Sequence, residues 1–253
     1  MKYFVFSDVH NSYNALVKAL DSSGFHSEDD NHKLLFLGDA FEKGDKPKET
    51  YLFLKEMLSK NKLIWIRGNH DMELVNSVSI NKLNNTNRST ALAVASVFNG
   101  AVHTDEEICE VLKSNGFVDW ILKNSRNFFE TEQYIFVHGF IPSVKGNYEE
   151  DWRNLPDENW GGARKKCAVR EVLKNGIRFG KTVVSGHVGA YYGHIKEKYP
   201  NYEFDSPEFK KAAAKIVRTK PPEYYKTFYG DGVIGIDANA YDTGFVNCLV
   251  IDD

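Results

Sequence analysis

Five short polar motifs each follow directly on a short apolar run, and this arrangement constrains the fold more than any other feature. In an open α/β sheet, ligands bind beyond the carboxyl ends of the strands. Residues that are far apart in the sequence can therefore meet in one crevice. The motifs are Asp8-Val9-His10, Gly38-Asp39, Gly68-Asn69-His70-Asp71, Val137-His138-Gly139 and Gly186-His187.

The first third of the chain has the spacing of alternating strands and helices. Apolar and aromatic runs predict strands at residues 3–7, 34–37 and 63–66. Helical spacing follows the first two strands, at residues 12–20 with Gly24 as a stop and at residues 47–58 with Pro47 in the first turn. Repeated strand-then-helix order predicts βαβ units and a largely parallel or mixed sheet, so the fold class is α/β.

The rest of the chain predicts one elaborated domain over residues 1–253, with a helical insertion at about 77–130. A polar Asn- and Ser-rich stretch at 77–89 precedes predicted helices at 90–98 and 105–114. A long irregular loop is expected at about 188–231. The strand signal returns at residues 134–137, 182–185, 233–236 and 245–251.

Composition limits the partners and the compartment. A formal net charge of -3 gives no global reason to expect nucleic-acid or membrane binding. No apolar run approaches the length of a membrane span or of a secretory signal, and the three cysteines form no C-x-x-C pair. We expect a cytoplasmic protein without a thiolate zinc site; the oligomeric state stays open.

The side chains of the five motifs are ligands for divalent metals. Asp, Asn and neutral His suit manganese, iron and zinc, and their number suits two adjacent cations with a water between them. Each motif alone has a simpler explanation as a turn or a surface histidine. The occurrence of all five motifs in this order favours a metal site.

The order and wording of the motifs resemble the calcineurin-like metallophosphoesterases, in particular the phosphoprotein phosphatase branch that includes serine/threonine phosphatases and diadenosine tetraphosphate hydrolases. The resemblance covers residues 2–70, 134–139, 183–187 and 234–239. It implies a four-layer α/β/β/α sandwich with mixed sheets. It also implies two divalent ions, with manganese favoured and iron and zinc as alternatives.

The resemblance assigns the metal ligands by position. It implies that Asp8, His10 and Asp39 hold the first metal. The second metal would be held by Asn69, His138 and His187 together with Asp39, which bridges the two ions. A carboxylate has two oxygens and can bridge, whereas the amide of Asn69 offers one carbonyl oxygen to a single cation.

The resemblance also implies the reaction. A hydroxide shared by the two metals would attack the phosphorus directly, without a phospho-enzyme. His70, which is not a ligand in the family, would protonate the leaving group as a general acid. An acidic partner would orient this histidine.

The sequence departs from the family around the bridging aspartate. The family carries Gly-Asp-x-x-Asp-Arg-Gly, whereas residues 38–44 read Gly-Asp-Ala-Phe-Glu-Lys-Gly. Glu42 therefore stands where the family has the partner of the catalytic histidine, and Lys43 replaces a phosphate-binding arginine. Lys lacks the planar fork that grips phosphate at two points. Arg164 and Arg67 are further candidates for phosphate binding.

Three functions remain open at this stage. The leading one is a phosphomonoesterase of the serine/threonine phosphatase type. The alternative is a nucleotide or dinucleoside polyphosphate hydrolase, and the second alternative is a weakly active metal-binding scaffold. The substrate would thus be a phosphoprotein or a nucleotide. Tyrosines and lysines in the stretch 188–231 favour nucleotides slightly, although packing and a solvated helix face explain them more simply.

Overall fold

The computed structural model describes residues 1–98, 102–144, 147–148, 151–188 and 190–253. Within these residues, the strands form two five-stranded sheets. The strands are β1 (Lys2–Phe6), β2 (His32–Phe36), β3 (Leu63–Ile66), β4 (Ser125–Arg126), β5 (Phe128–Glu130), β6 (Tyr134–Val137), β7 (Thr182–Ser185), β8 (Phe228–Gly230), β9 (Val233–Gly235) and β10 (Leu249–Asp252).

Both sheets are mixed, as predicted. The first has the order β10-β1-β2-β3-β4, in which only β10 runs antiparallel to its neighbour. The second has the order β5-β6-β7-β9-β8, with antiparallel strands at both edges of a parallel centre. The parallel strands of each sheet end at the same edge, where the polar motifs follow.

Alternate residues of the strands face opposite layers. In β1, Val5 packs in a cluster with Phe136 and Val184 of the other sheet, so the two sheets face each other. Phe4 and Phe6 point the other way and pack among the helices of the first half. A separate cluster covers the outer face of the second sheet. The result is the expected four-layer α/β/β/α sandwich.

Eleven helices surround the sheets in the described part of the chain. The first six are α1 (Tyr13–Ser23), α2 (Pro47–Ser59), α3 (Asn69–Ser79), α4 (Asn85–Phe98), α5 (Asp105–Ser114) and α6 (Phe117–Asn124). The others are α7 (Asp157–Ala163), α8 (Ala168–Asn175), α9 (Tyr191–Lys198), α10 (Pro207–Thr219) and α11 (Ala240–Thr243). None of these described helices is both long and apolar enough to cross a bilayer.

Local signals explain the helix ends that were predicted. Gly24 ends α1 in the left-handed conformation, with a φ of 77°, which glycine adopts without steric cost. Pro47 occupies the first turn of α2, where its missing N–H costs no hydrogen bond. Both predictions are confirmed.

Within the predicted insertion, the boundaries differ from expectation. Helix α4 begins at Asn85 rather than at Thr90, because Asn84 Oδ1 accepts hydrogen bonds from the N–H groups of Thr86 (2.8 Å) and Asn87 (2.9 Å). The polar stretch thus contains a helix cap. Residues 125–126 and 128–130 are not helical but form β4 and β5. The strand predicted at 245–251 begins only at Leu249.

The prediction of a long irregular loop at 188–231 is wrong. Helices α9 and α10 occupy much of this stretch. Phe209 and Ile216 are buried seven residues apart on α10, which is helical spacing, and Ser206 caps the helix by accepting from the N–H of Phe209. Three of the six residues between them are lysines, and these charges concealed the spacing.

Candidate metal centre

Each of the five motifs lies at the carboxyl end of a parallel strand. Asp8 and His10 follow β1, Asp39 follows β2, and Asn69 begins α3 directly after β3. From the second sheet, His138 follows β6 and His187 follows β7. The two sheets therefore contribute to one site, as the position of the motifs predicted.

Asp39 stands between two groups of possible metal ligands. In the first, one ligand atom each of His10, Asp39 and His70 lie within 4.8 Å of one another, and in the second the same holds for Asp39, His138 and His187. Asp39 Oδ2 lies 3.7 Å from His10 Nε2 and 3.4 Å from His138 Nε2. A carboxylate shared by two ligand groups is what a bridging ligand requires.

The remaining predicted ligands adjoin the same site. Asp8 accepts hydrogen bonds from the Ser7 hydroxyl and, at 2.9 Å, from the N–H of His187. Asn69 Oδ1 lies 3.1 Å from His138 Nε2. All six predicted ligands therefore converge, and this set of carboxylate, amide and imidazole donors fits divalent transition metals. Their individual metal-binding roles stay predictions.

The buried charges of the site depend strongly on one another. Burial raises the pKa of Asp8 to about 6. Burial also acts to raise the pKa of Asp39. The positive charge of His138 and the hydrogen bond between His138 and Asp39 outweigh burial, and they hold the pKa of Asp39 well below its usual range. In return, Asp39 overcomes the effect of burial on His138 and raises its pKa to about 10. Burial lowers the pKa of His10 to about 3 and that of His187 to about 4.

His70 and Glu42 form the pair that the sequence predicted. His70 Nδ1 lies 2.6 Å from Oε2 of Glu42, which is 1% exposed. Burial acts to lower the pKa of His70, but the hydrogen bond to Glu42 and the charge of Asp39 raise it above its ordinary value. A second carboxylate, Glu73, lies 3.8 Å from the same nitrogen and binds Lys165.

Lys43 also reaches the site. Its Nζ lies 3.2 Å from Nε2 of His10. The lysine charge therefore lies beside the first group of possible ligands. The pairing of His70 with Glu42 likewise shows that the added methylene of the glutamate does not prevent contact with the histidine.

The two candidate arginines are both held by Asp157. Arg164 donates to Asp157 at 2.7 Å and to Asn127 at 2.6 Å, and is itself buried. Arg67 donates to Asp157 at 3.5 Å and also binds the carbonyls of Leu122 and Ser125. These contacts give both arginines a structural role. Their predicted role in phosphate binding stays a prediction.

Asp71 is a site residue that sequence reasoning understated. Its carboxylate accepts a hydrogen bond from the N–H of Gly68 at 2.9 Å, as an acidic residue in the first turn of a helix commonly does. It also accepts from the N–H groups of Asp39 (3.1 Å) and Ala40 (2.9 Å). Its contact with a loop some thirty residues earlier in the chain carries no local sequence signal.

The backbone of the site is conformationally unusual. Non-glycine residues rarely adopt a positive φ, and each instance costs about 1–3 kcal/mol. In this site the φ angles lie between 45° and 75° for Asp8, His10, Asn11, Asp39, Glu42, Lys43 and His187. Such strain persists only where the surrounding structure enforces it, which is typical of functional sites.

Two glycines allow the loops to approach each other. A Cβ atom on Gly68 would collide with Oδ1 of Asp39. A Cβ atom on Gly186 would collide with the Ser7 hydroxyl and with Asp8. The glycines that precede Asn69 and His187 are therefore required by packing around the carboxylates of Asp39 and Asp8.

Comparison with known families agrees with this geometry. The sequence profile described as calcineurin-like phosphoesterase matches residues 1–224. The chain belongs to the calcineurin-like phosphoesterase family. The expected resemblance is thereby confirmed, and the match to the family extends over most of the chain.

Two curated relatives share the name bis(5'-nucleosyl)-tetraphosphatase, symmetrical. The relative from Haemophilus influenzae (strain PittGG) is 28% identical over 179 residues, which are 66% of this chain and 63% of the relative. The relative from Marinomonas sp. (strain MWYL1) is 33% identical over 147 residues, which are 56% of this chain and 45% of the relative. The matched region therefore spans less than two thirds of either relative.

Among solved structures, a cold-active protein tyrosine phosphatase resembles this chain at a TM-score of 0.49 with 13% identity. The similarity covers 99% of this chain and 73% of that structure.

Proposed function

We propose that this protein is a metal-dependent phosphoesterase that hydrolyses its substrate by direct attack of water. The observation that carries the proposal is the position of Asp39 between two groups of possible ligands, one of which includes His70, the hydrogen-bond partner of Glu42. Two bound divalent metals would lower the pKa of a water molecule and neutralise the charge of the phosphoryl oxygens. Asp8, His10, Asp39, Asn69, His138 and His187 would hold them.

His70 is suited to protonate the leaving group. Its Nδ1 is engaged by Glu42, which orients the ring and leaves Nε2 for an incoming substrate. The raised pKa keeps the imidazole protonated to higher pH, as a general acid requires. Glu42 acts through His70 and is a positioning residue in this proposal.

Lys43 is the candidate for contact with the phosphate. Its ammonium lies beside His10, where it supplies one positive charge to the ligand groups. The guanidinium groups of Arg67 and Arg164 already bind Asp157, so Lys43 is freer to bind a phosphoryl oxygen than either arginine. A single ammonium grips phosphate less specifically than an arginine fork.

For the substrate, we propose a dinucleoside polyphosphate. The sequence alone ranked a phosphomonoester of the serine/threonine phosphatase type first. The names of the curated relatives support the alternative, because they act on bis(5'-nucleosyl) tetraphosphates according to those names. Phosphopeptide hydrolysis is therefore the competing outcome of the substrate test.

A substrate panel tests the proposal. Purified protein with added manganese is assayed with diadenosine tetraphosphate, a phosphoserine peptide, p-nitrophenyl phosphate and its bis-ester. We expect the highest kcat/KM for diadenosine tetraphosphate, and a loss of about 10²–10⁴-fold in kcat for His70→Asn. Faster turnover of the phosphopeptide would overturn the substrate proposal. If the protein hydrolyses none of these compounds with manganese, iron or zinc, the enzymatic proposal is overturned. A metal-binding scaffold would then be the remaining function.

A further inference from the structure

A groove on the surface of α9 and α10 combines aromatic rings with positive charge. It has a volume of about 850 Å³. Its floor contains the buried side chains of Ile216 and Tyr224. We call it the Tyr–Lys groove, and the residues that define it are Lys198, Tyr199, Tyr202, Lys211, Lys215 and Arg218.

One wall of the groove is a cationic face of α10. Lys211, Lys215 and Arg218 are spaced at i, i+4 and i+7, which places them on one side of the helix. All three are exposed. Glu208 and Glu223 also border the groove, so with Lys198 it carries four cations and two carboxylates. Its charge is thus opposite in sign to the net charge of -3 of the whole chain.

In the described part of the chain, these cations are not neutralised by ion pairs. Among the residues that the structure describes, no carboxylate oxygen lies within 4.0 Å of the charged groups of Lys198, Lys211, Lys215 or Arg218. By contrast, Lys220 at the end of the same helix binds Asp242 at 2.6 Å. Several unpaired cations around one concavity favour an anionic ligand.

A second wall of the groove presents two tyrosine rings whose planes are nearly parallel. Tyr199 and Tyr202 stack with ring centroids 4.8 Å apart and an interplanar angle of 12°. Both side chains are half-buried, and Lys196 fixes the turn between them by donating to the carbonyls of Pro200 (2.6 Å) and Tyr202 (2.9 Å). The rings are therefore held in place before any ligand binds, which reduces the entropy cost of stacking.

Lys198 adds a positive charge to the aromatic wall. Its Nζ lies 5.4 Å from the ring centroid of Tyr224 and 5.8 Å from that of Tyr199. An ammonium group thus adjoins the flat aromatic surface. A ligand that matches both walls must carry a planar ring and several negative charges, which describes a nucleoside polyphosphate.

We propose that the Tyr–Lys groove is a nucleotide-binding site separate from the metal centre, with the base on the tyrosine pair and the phosphates along α10. The volume lies within the range of small-ligand sites, about 300–1,000 Å³. The proposal does not rest on the proposed function, because none of the groove residues is a predicted metal ligand or the predicted general acid. It accounts for tyrosines and lysines that the catalytic proposal leaves unused.

Adjacent lysines on α10 provide a matched test. Binding of ATP is measured by isothermal titration calorimetry in EDTA, so that bound metal does not contribute. Lys211→Glu reverses a charge that lines the groove, whereas Lys210→Glu reverses an exposed charge outside its lining. We expect at least about a tenfold weaker Kd for Lys211→Glu and an unchanged Kd for Lys210→Glu. Equal effects of the two variants would overturn the site.

A second pair of variants tests the aromatic wall. Tyr202→Leu removes a ring of the stacked pair, and Tyr229→Ala removes an exposed tyrosine of β8 outside the groove. We expect at least about a fivefold loss of ATP affinity for Tyr202→Leu only. Tripolyphosphate and adenosine should each bind more weakly than ATP. The proposal of a nucleotide site is wrong if tripolyphosphate binds as tightly as ATP, or if ATP does not bind the wild-type protein. Metal-dependent turnover is measured separately and tests the proposed function alone.

Discussion

The buried carboxylate of Asp71 accepts a hydrogen bond of 3.1 Å from the backbone N–H of Asp39. It accepts two more, of 2.9 Å each, from the N–H groups of Ala40 and Gly68. One side chain thereby joins the loop after β2 to the loop after β3. Because Asp39 lies on the first loop and Asn69 directly follows the second at the start of α3, Asp71 fixes the distance between two predicted metal ligands.

Replacing Asp71 by Asn should disturb this connection without changing the size of the side chain. The amide NH2 group cannot accept a hydrogen bond, so at least one buried N–H loses its partner. We expect manganese affinity to fall about 10–100-fold, as is common when residues that support metal ligands are changed. Titration with manganese measures this. The exposed Asp119→Asn serves as control, and equal affinities of the two variants would contradict the role of Asp71.

Asp39→Asn and Asp8→Asn should differ in the number of metals lost. Asp39 lies between both ligand groups, whereas Asp8 is predicted to serve one metal. We expect Asp39→Asn to lose both ions and Asp8→Asn to retain part of its metal. Elemental analysis after dialysis against dilute manganese measures the content. Equal metal content in the two variants would contradict the bridging role of Asp39.

Glu42→Gln should shift the pH dependence of activity. Glu42 raises the pKa of His70, so removing its charge lowers that pKa. A general acid works only while protonated, and the alkaline limb of the kcat profile should therefore move to lower pH. Glu42→Asp keeps the charge and should keep the limb close to that of the wild type. If the alkaline limb of Glu42→Gln is not shifted, the pairing with Glu42 is not the cause of the raised pKa of His70.

Metal binding should release protons at neutral pH. Asp39 and Asp8 outweigh the effect of burial on His138 and raise its pKa to about 10, so the metal-free protein retains this proton. A metal requires neutral imidazole, and uptake must expel the proton. Affinity should therefore increase with pH up to about 10. Calorimetry at pH 7.5 in PIPES and in Tris should give different binding heats, and identical heats would contradict the prediction.

Arg67→Ala should affect stability rather than substrate binding. Arg67 donates to the carbonyls of Leu122 at 3.0 Å and Ser125 at 2.6 Å, and so ties the end of β3 to the end of α6. We expect a loss of about 1–3 kcal/mol in the free energy of unfolding. KM should be unchanged. Urea unfolding and steady-state kinetics test this, with the exposed Arg126→Ala as control; a raised KM without loss of stability would instead support phosphate binding.

The sequence alone predicted elements whose signals are local. The strands at 63–66, 134–137 and 182–185 occur at the predicted residues, because short apolar runs bounded by polar motifs leave little ambiguity. It failed for α10, where charged residues obscure the spacing of Phe209 and Ile216. It also missed β4 and β5, which are too short to show a period.

For the site, the sequence determined which side chains are available and the order in which they follow the strands. Only the tertiary structure decided how they pair, since hydrogen bonding across loops depends on how neighbouring strands and helices pack. It assigned Asp71 to the backbone of Asp39, bound Arg67 to Asp157, and brought Lys43 to His10. Such contacts join residues distant in the chain and leave no trace in local spacing.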